Sequence, residues 1–174
     1  MYTNETLPAT NVRSRTFYVA RTRARCWHCG LSTCVLGLAL PHGHEILDQD
    51  AQTDVSEHNG ATPQVWQRVD THAFIFYVEE LPEHIQRGLN QLSPSFRLAP
   101  SPATLNSYWA NHCEHCESLL DDHELHCEPD GAFVPSSEGA AVGIQLVHVQ
   151  APFQAAAAGH ALEPEFFGFM PKSW

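Results

Sequence analysis

Short apolar runs recur along the chain and predict a protein built mainly from strands. Runs rich in Val, Ile, Phe, Tyr and Trp fit the pleated, half-buried surface of a sheet. Extended segments are predicted at Val12–Arg25, Leu31–Leu40, Ala73–Val78, Leu105–Ala110 and Val142–Val149. The run Ala73–Val78 is apolar at every position but one, which predicts a central strand buried on both faces.

Two segments have patterns that favour helix. Between Pro82 and Leu92, the apolar residues Ile85, Leu89 and Leu92 form one stripe at helical spacing, with the proline in the first turn. A run of four alanines in Phe153–Ala158 predicts one or two further helical turns. The combined pattern predicts an α+β fold, with an antiparallel, β-rich sheet and one main helix.

The length and composition are those of a globular domain. The chain has 174 residues, of which 43% are apolar and 17% charged, so it can bury a core. We expect a flexible N-terminus over residues 1–11 and a single domain over residues 12–174. No apolar run approaches the roughly 20 residues of a membrane helix, and the first residues lack the apolar core of a secretory signal. We therefore expect a cytoplasmic protein with reduced cysteines and no membrane partner.

Charge is distributed unevenly along the chain. The net charge is −11, and residues 1–29 hold five Arg and one Glu, whereas residues 30–174 hold four Lys or Arg and nineteen Asp or Glu. Most of the chain would therefore repel phosphate, which disfavours a general nucleic-acid binder. The acidic balance favours a basic protein partner, although solubility alone also accounts for it.

The five arginines of the N-terminal segment all lie at odd positions. If one strand runs from residue 13 to residue 25, its period of two places them on one face. Arg21, Arg23 and Arg25 lead directly to Trp27, so these four residues form the candidate contact surface for phosphate or an acidic partner. The alternative is a solvated outer face of an edge strand, where charges deter aggregation.

Four of the six cysteines form two CxxC motifs. These motifs are Cys26-Trp27-His28-Cys29-Gly30 and Cys113-Glu114-His115-Cys116. Structural zinc prefers a tetrahedral shell of four thiolates, and the entropy of closing a loop rises only slowly with its length. The sequence therefore predicts one structural zinc shared by Cys26, Cys29, Cys113 and Cys116. The sheet would then be centred on a split zinc ribbon, with residues 41–104 inserted between its halves.

Two other arrangements of the cysteines stay open. In one, each motif forms its own site, with Cys34 and a histidine completing the first, and Cys127 with His123 or His126 completing the second. In the other, the cysteines bind no metal and act as redox groups or as plain core residues.

The sequence offers little support for an enzyme. A zinc ion with four thiolate ligands has no coordination position open to water, so it cannot act as a Lewis acid in hydrolysis. The histidines of His123–His126 lie three residues apart and do not form an HExxH motif, and there is no Gly-rich phosphate loop. His42, His44 and Glu45 are a candidate second metal cluster within a loop predicted over residues 42–62. We assign no catalytic residue and lean against an enzyme.

Four short blocks give the chain a family resemblance. They are Cys26-Trp27-His28-Cys29-Gly30, the apolar strand that follows it, then Tyr108-Trp109-Ala110-Asn111-His112-Cys113-Glu114-His115-Cys116, then the segment 125–133. The sequence resembles an uncharacterised bacterial family of small proteins with a split zinc ribbon of the form CWxCG…NxCxxC. The resemblance implies the shared zinc and its four ligands but no activity. Glu117 departs from the family pattern, which has Gly after the second cysteine.

Three functions follow from these observations. The first is a zinc-stabilised, non-enzymatic interaction or regulatory module whose acidic surface binds a protein partner. The second is a nucleic-acid-associated zinc ribbon that uses the stripe between Arg13 and Arg25. The third is an enzyme with a site that these motifs do not reveal.

Overall fold

The fold is built mainly from strands. The computed structural model describes residues 10–48, 64–101 and 106–174. These segments contain the strands β1 (Val12–Ser14), β2 (Phe17–Arg25), β3 (Ser32–Leu40), β4 (His44–Leu47), β5 (Trp66–Val69), β6 (Ala73–Glu80), β7 (Phe96–Pro100), β8 (Ser107–His112), β9 (Leu119–Leu120), β10 (Gln145–Val149), β11 (Phe153–Leu162) and β12 (Lys172–Ser173). They also contain the helices α1 (Glu83–Leu92), α2 (Asp122–His126) and α3 (Glu138–Ala141), and a 3₁₀ turn at Phe167–Phe169. The predicted β-rich α+β class is confirmed at this level.

The described strands form two sheets. The large sheet has nine strands in the order β12-β10-β2-β3-β6-β11-β1-β4-β5, and only its β10–β12 pair is parallel. The small sheet has three antiparallel strands in the order β7-β8-β9. The prediction of a central strand at Ala73–Val78 is confirmed, because β6 lies between β3 and β11. In the described segments, no helix reaches the length and apolarity that crossing a membrane requires.

The middle strands of the large sheet bury both of their faces. Successive residues of β2 and β3 alternate between two core clusters, so that Leu38 belongs to one cluster and Ala39 to the other. Helix α1 covers the first face with Ile85 and Leu89, as predicted. Leu92, the third residue of the predicted apolar stripe, is 40% exposed. The second face is covered by α2, by the C-terminal segment and by the cysteine motifs. Both motifs are therefore part of a packed core.

The predicted helical turns at Phe153–Ala158 are wrong, because these residues belong to strand β11. This strand pairs with β6 on one side and with β1 on the other, and Ala155, Ala156 and Ala157 are almost fully buried. At Gly159 the ring of Phe76 lies so close that a Cβ atom would clash with it. Small residues are needed at this crowded position, so packing outweighs the helix propensity of alanine.

The prediction of one strand through Val12–Arg25 is also wrong. The segment forms two strands, β1 and β2, with different neighbours: β1 pairs with β11 and β4, whereas β2 pairs with β10 and β3. Arg13 therefore lies in the half of the large sheet that ends in β5, and Arg21, Arg23 and Arg25 lie in the half that ends in β12. The arginines do not form one continuous stripe.

Two other predicted segments differ from the structure. The strand predicted at Val142–Val149 begins only at Gln145. Residues 142–144 form the turn that ends helix α3, with their N–H groups donating to carbonyl groups of the helix. Within the loop predicted over residues 42–62, His44–Leu47 forms β4. The remainder of that prediction falls largely on residues 49–63, and the flexible N-terminus falls largely on residues 1–9. Both ranges lie outside the described residues.

Candidate metal centre

The first CxxC motif forms the turn between β2 and β3. The N–H of Cys26 donates to Leu31 O and the N–H of Gly30 donates to Cys26 O, both at 2.9 Å, so the turn is closed by backbone bonds. The N–H of His28 lies 3.4 Å from the sulfur of Cys26 and points a partial positive charge at it. Gly30 adopts the left-handed conformation, with a φ of 74°.

The second motif forms the turn between β8 and β9 and repeats this geometry. The N–H of Cys113 donates to Ser118 O and the N–H of Glu117 donates to Cys113 O, again at 2.9 Å. The N–H of His115 lies 3.4 Å from the sulfur of Cys113. Glu117 occupies the position in the second turn that Gly30 occupies in the first, and its φ is 61°. The departure from Gly at this position therefore leaves the backbone path of the turn intact, at some cost in strain.

That strain gives a matched pair of predictions. A non-glycine residue in the left-handed region costs about 1–2 kcal/mol. We expect Glu117→Gly to raise the free energy of unfolding by about 1 kcal/mol. Gly30→Ala should lower it by a similar amount, because no atom lies within 4 Å of a Cβ built at Gly30 and only the backbone is strained. Urea unfolding of the metal-loaded variants measures both changes, and effects of the same sign would contradict this explanation.

The two turns bring the four cysteine sulfurs together. The sulfurs of Cys26 and Cys116 lie 3.6 Å apart, as do those of Cys29 and Cys113, so the first cysteine of each motif faces the second cysteine of the other. All four sulfurs lie within 4.8 Å of one another. The convergence predicted from the spacing is confirmed, and four cysteines in this arrangement could hold a metal ion.

The spacing of the sulfurs fits a tetrahedral metal ion better than a disulfide. Four metal–sulfur bonds of about 2.3 Å in tetrahedral geometry place the sulfurs about 3.8 Å apart, close to the shortest separations of 3.6 Å observed here. A disulfide would require about 2.05 Å. All six cysteines are free thiols.

The protein favours the thiolate form at two of the four cysteines. Hydrogen bonds from the side chain and backbone of Ser118 lower the pKa of Cys116 to about 5. Burial opposes ionisation of Cys113, but backbone N–H groups, that of His115 first, outweigh it and lower its pKa. The N–H of Leu31 favours ionisation of Cys29, but burial and the neighbouring thiols raise its pKa to about 11. A bound cation would deprotonate all four thiols, because thiolates are the form that binds metal.

Side chains from each motif also bind the opposite hairpin. The indole N–H of Trp27 donates to Leu119 O at 2.8 Å, and the ring of His115 lies 3.0 Å from Ser32 O. The carboxylate of Glu114 accepts from the N–H of Cys34 at 2.8 Å and from the hydroxyl of Thr33 at 3.1 Å. The two turns are therefore fastened together independently of any metal.

A buried asparagine joins the two sheets just before the second motif. Asn111 Oδ1 accepts from the N–H of Leu36, and Asn111 Nδ2 donates to Leu36 O, both at 2.8 Å. The side-chain amide thus forms the pair of hydrogen bonds that the backbone of a neighbouring strand would form with Leu36, and it links β8 to β3. It is only 2% exposed, and it fixes the approach of the second hairpin to the first.

A second connection lies beyond β9. The carboxylate of Asp121 accepts from the hydroxyls of Tyr77 and Tyr108, at 3.0 and 2.7 Å. The carboxylate of Asp122 accepts from the N–H of Tyr77, whose φ is 49°. Burial, more than the neighbouring Asp121, raises the pKa of Asp122 to about 7. These contacts hold the small sheet against β6.

The remaining predicted ligands lie outside the cysteine cluster. Cys34 and Cys127, which the two-site arrangement requires, are not among the converging sulfurs. Within the described residues, His42, His44 and Glu45 do not form a metal-binding group either. The ring of His44 is fully buried, with Nδ1 lying 2.8 Å from Pro41 O.

The candidate contact surface is brought together only in part. Arg21, Arg23 and Arg25 alternate along β2 and so share one face of the sheet. The side chain of Arg23 is held by Ser32, to which it donates at 2.8 and 2.9 Å. Trp27 is 63% exposed, although its N–H is bonded.

Sequence reasoning missed the residues that position the cysteines. Glu114 is part of the quoted motif, but nothing in the sequence indicates that it binds Thr33. Asn111 lies two residues before Cys113, and its pairing with Leu36 spans 75 residues. An asparagine in an otherwise apolar run is the signal that could have identified it, because a buried amide needs hydrogen-bond partners.

The fold and the site define a β-rich protein with a four-cysteine centre that could hold a metal ion. The sequence matches no protein-family model, no curated protein and no solved structure. The resemblance to bacterial split-ribbon proteins therefore rests on the motif blocks alone.

Proposed function

We propose that the four cysteines hold one zinc ion and that the two turns are the halves of a split zinc ribbon. The convergence of the sulfurs of Cys26, Cys29, Cys113 and Cys116 within 4.8 Å of one another is the observation that supports this most directly. Backbone N–H groups directed at Cys26 and Cys113 stabilise thiolate charge, as a metal site requires. Four-thiolate sites take zinc or iron, and zinc is the commoner structural ion.

The proposed zinc is structural. Four protein ligands complete its coordination, which leaves no position for water or substrate. Cys26 and Cys113 are each only 1% exposed, so the centre belongs to the core of the protein. The ion would tie the β2–β3 hairpin of the large sheet to the β8–β9 hairpin of the small one.

We further propose that this stiffened scaffold is a non-enzymatic interaction module for a basic protein partner. The excess of acidic residues after residue 29 supports this function. Exposed carboxylates cluster along α2 and the turn that follows it, at Glu124, Glu128 and Asp130, and two more lie at Glu163 and Glu165. A small cavity lined by His126 and Glu165 lies between these two segments. Exposed carboxylates grouped in this way attract lysine- and arginine-rich segments.

A titration of the metal-loaded protein with a fluorescent lysine-rich peptide tests this function. We expect saturable binding at low salt that is lost at about 0.5 M salt, where charges are screened beyond a few ångströms. The double variant Glu124→Gln/Glu128→Gln should weaken binding severalfold, as expected from the loss of two charges. Glu80→Gln/Glu83→Gln removes the same charge beside α1 and should bind like wild type. Equal weakening by both variants would show attraction to net charge and no defined surface.

A second candidate function is binding of nucleic acid through the β2 face. Exposed Arg23 and Arg25 lead to the exposed ring of Trp27, a combination that suits a phosphate backbone and a stacked base. Single- and double-stranded oligonucleotides in the same titration distinguish the two candidates. Binding of either at low salt, lost in Arg25→Gln, would favour the nucleic-acid ribbon over the acidic module.

A further inference from the structure

A second polar site lies at the opposite end of the large sheet from the cysteine-bearing hairpin. A cleft of about 650 Å³ opens beside β1, β4 and β5, and none of its lining residues belongs to the metal centre. Pockets that bind small molecules measure roughly 300–1,000 Å³, so this cleft has room for a ligand of moderate size.

One wall of the cleft is a row of polar side chains on four neighbouring strands. Gln154 of β11 lies directly opposite Arg13 of β1, Arg13 opposite Glu45 of β4, and Glu45 opposite Arg68 of β5. Residues paired in this way project from the same face of a sheet. Val12, the neighbour of Arg13, projects from the other face and is fully buried in the core. The sheet therefore has a core face and a charged face at this end.

The two guanidinium groups of the row are held through their Nε edges. Arg13 Nε donates to Glu45 at 2.8 Å, and its guanidinium lies 4.1 Å from the centre of the Trp66 ring. Arg68 Nε donates to Asp70 at 3.1 Å. Arg13 Nη2 also donates to Glu45, at 3.4 Å. Among the described residues, Arg13 Nη1 and both terminal nitrogens of Arg68 have no hydrogen-bond partner. An arginine held this way loses less conformational freedom when it binds an anion.

Gly43 makes room for one of these arginines. A Cβ atom built at Gly43 would lie 3.3 Å from Arg68 Nη2, and the φ of Gly43 is 89°. The guanidinium of Arg68 thus lies against bare backbone at the turn between β3 and β4. Arg15 and His42 also line the cleft, and Arg15 makes no ion pair within the described residues.

The charge of the cleft is opposite to that of the protein. Three arginines and one glutamate line it, and Asp70 pairs with Arg68. The local charge is therefore +1 with His42 neutral, whereas the whole chain has a net charge of −11. Arginine forks bind phosphate and carboxylate oxygens in pairs. A phosphate offers three oxygens to neighbouring arginine forks, whereas a carboxylate offers two, so several arginines around one cleft match a phosphate better than a carboxylate.

We propose that this cleft binds a small molecule bearing a phosphate monoester. Arg15 and Arg68 bind the phosphate oxygens, Arg13 supports the site through its pair with Glu45, and the remainder of the cleft accommodates the organic part. The site shares no residue with the zinc centre or with the acidic surface, so an experiment can contradict one of the three proposals and leave the other two unaffected.

Titration calorimetry of the zinc-loaded protein with phenyl phosphate tests this site. We expect saturable binding of phenyl phosphate, weaker binding of inorganic phosphate, and no binding of benzoate, which has the same ring but a single charge. Arg68→Gln and Arg15→Gln should each weaken phenyl phosphate binding about five- to tenfold, as expected for one charge-assisted contact in a site open to water. Arg87→Gln is the matched control, since Arg87 is an exposed arginine on α1 and should bind as wild type does.

Three results would overturn the proposal. Phenyl phosphate could fail to bind at millimolar concentration in low salt, or it could bind equally well to Arg68→Gln. Alternatively, a DNA oligonucleotide could bind more tightly than phenyl phosphate through the same two arginines, which would make the cleft part of a nucleic-acid surface. Unchanged melting temperatures in the arginine variants ensure that a loss of binding is not a loss of fold.

Discussion

Cys116→Ser is expected to abolish metal binding and to leave the chain largely unfolded. When a zinc site is not formed in the unfolded chain, the metal contributes on the order of 10 kcal/mol to folding. A domain of this size has a total stability of about 5–15 kcal/mol. Serine has nearly the shape of cysteine but is not a zinc thiolate, so the substitution removes one ligand with little change in packing. The three remaining thiols would then lie together in the core without a cation.

Far-UV and near-UV circular dichroism, with thermal unfolding, measure this effect. Cys34→Ser and Cys127→Ser are matched controls, because the same atom is replaced at two cysteines outside the cluster. Both should retain the metal and unfold within a few degrees of wild type. Exhaustive chelation of the wild-type protein should reproduce the behaviour of Cys116→Ser. A Cys116→Ser protein with an unchanged near-UV spectrum and melting temperature would refute a shared structural site.

Asn111→Ala is expected to be the most destabilising substitution outside the cysteines. The substitution leaves the N–H and the C=O of Leu36 without hydrogen-bond partners, because each forms a 2.8 Å bond to the side-chain amide of Asn111. A buried backbone group left without a partner costs about 1–3 kcal/mol, and the lost side chain adds a cavity. We therefore expect a loss of about 3–5 kcal/mol in the free energy of unfolding, measured in urea with saturating zinc.

The chain offers a matched control for this substitution. Asn11 makes the same pair of bonds to Ala157, at 2.7 and 2.9 Å, but it is only partly buried. Water can replace the amide there, so Asn11→Ala should cost about 1 kcal/mol. If Asn111→Ala costs no more than Asn11→Ala, Asn111 does not hold the two sheets together.

The features that sequence predicts well here are local or have strict spacing. Two CxxC motifs are enough to predict four metal ligands, because each motif places two sulfurs on one turn. The stripe of Ile85 and Leu89 locates α1, because helical periodicity is a property of a single segment. The apolar run of β6 indicates burial on both faces for the same reason.

The errors arise where distant parts of the chain decide the structure. Alanine favours helix on its own, yet β11 is a strand because β1 and β6 lie on either side of it. The odd-numbered arginines fit one strand, yet the extended segment is interrupted near Arg15. The two resulting strands, β1 and β2, pair with different neighbouring strands. Local pattern contains no information on which strands become neighbours.

The contacts that surround the two sites also depend on pairings that sequence does not reveal. Asn111 meets Leu36 across 75 residues. The charged row of the cleft joins Arg13 to Arg68 only because β4 lies between their strands. A single sequence provides the residue types for such sites, and the strand order brings them together.

Native mass spectrometry of the reduced protein tests the central claim most directly. A mass excess of one zinc ion per chain is expected for wild type and for the double variant Cys34→Ser/Cys127→Ser, and none for Cys116→Ser. An iron ion in place of zinc would keep the four-cysteine centre but change its metal. No bound metal, or two ions of which one is lost with Cys34 and Cys127, would contradict a single structural site shared by the two motifs.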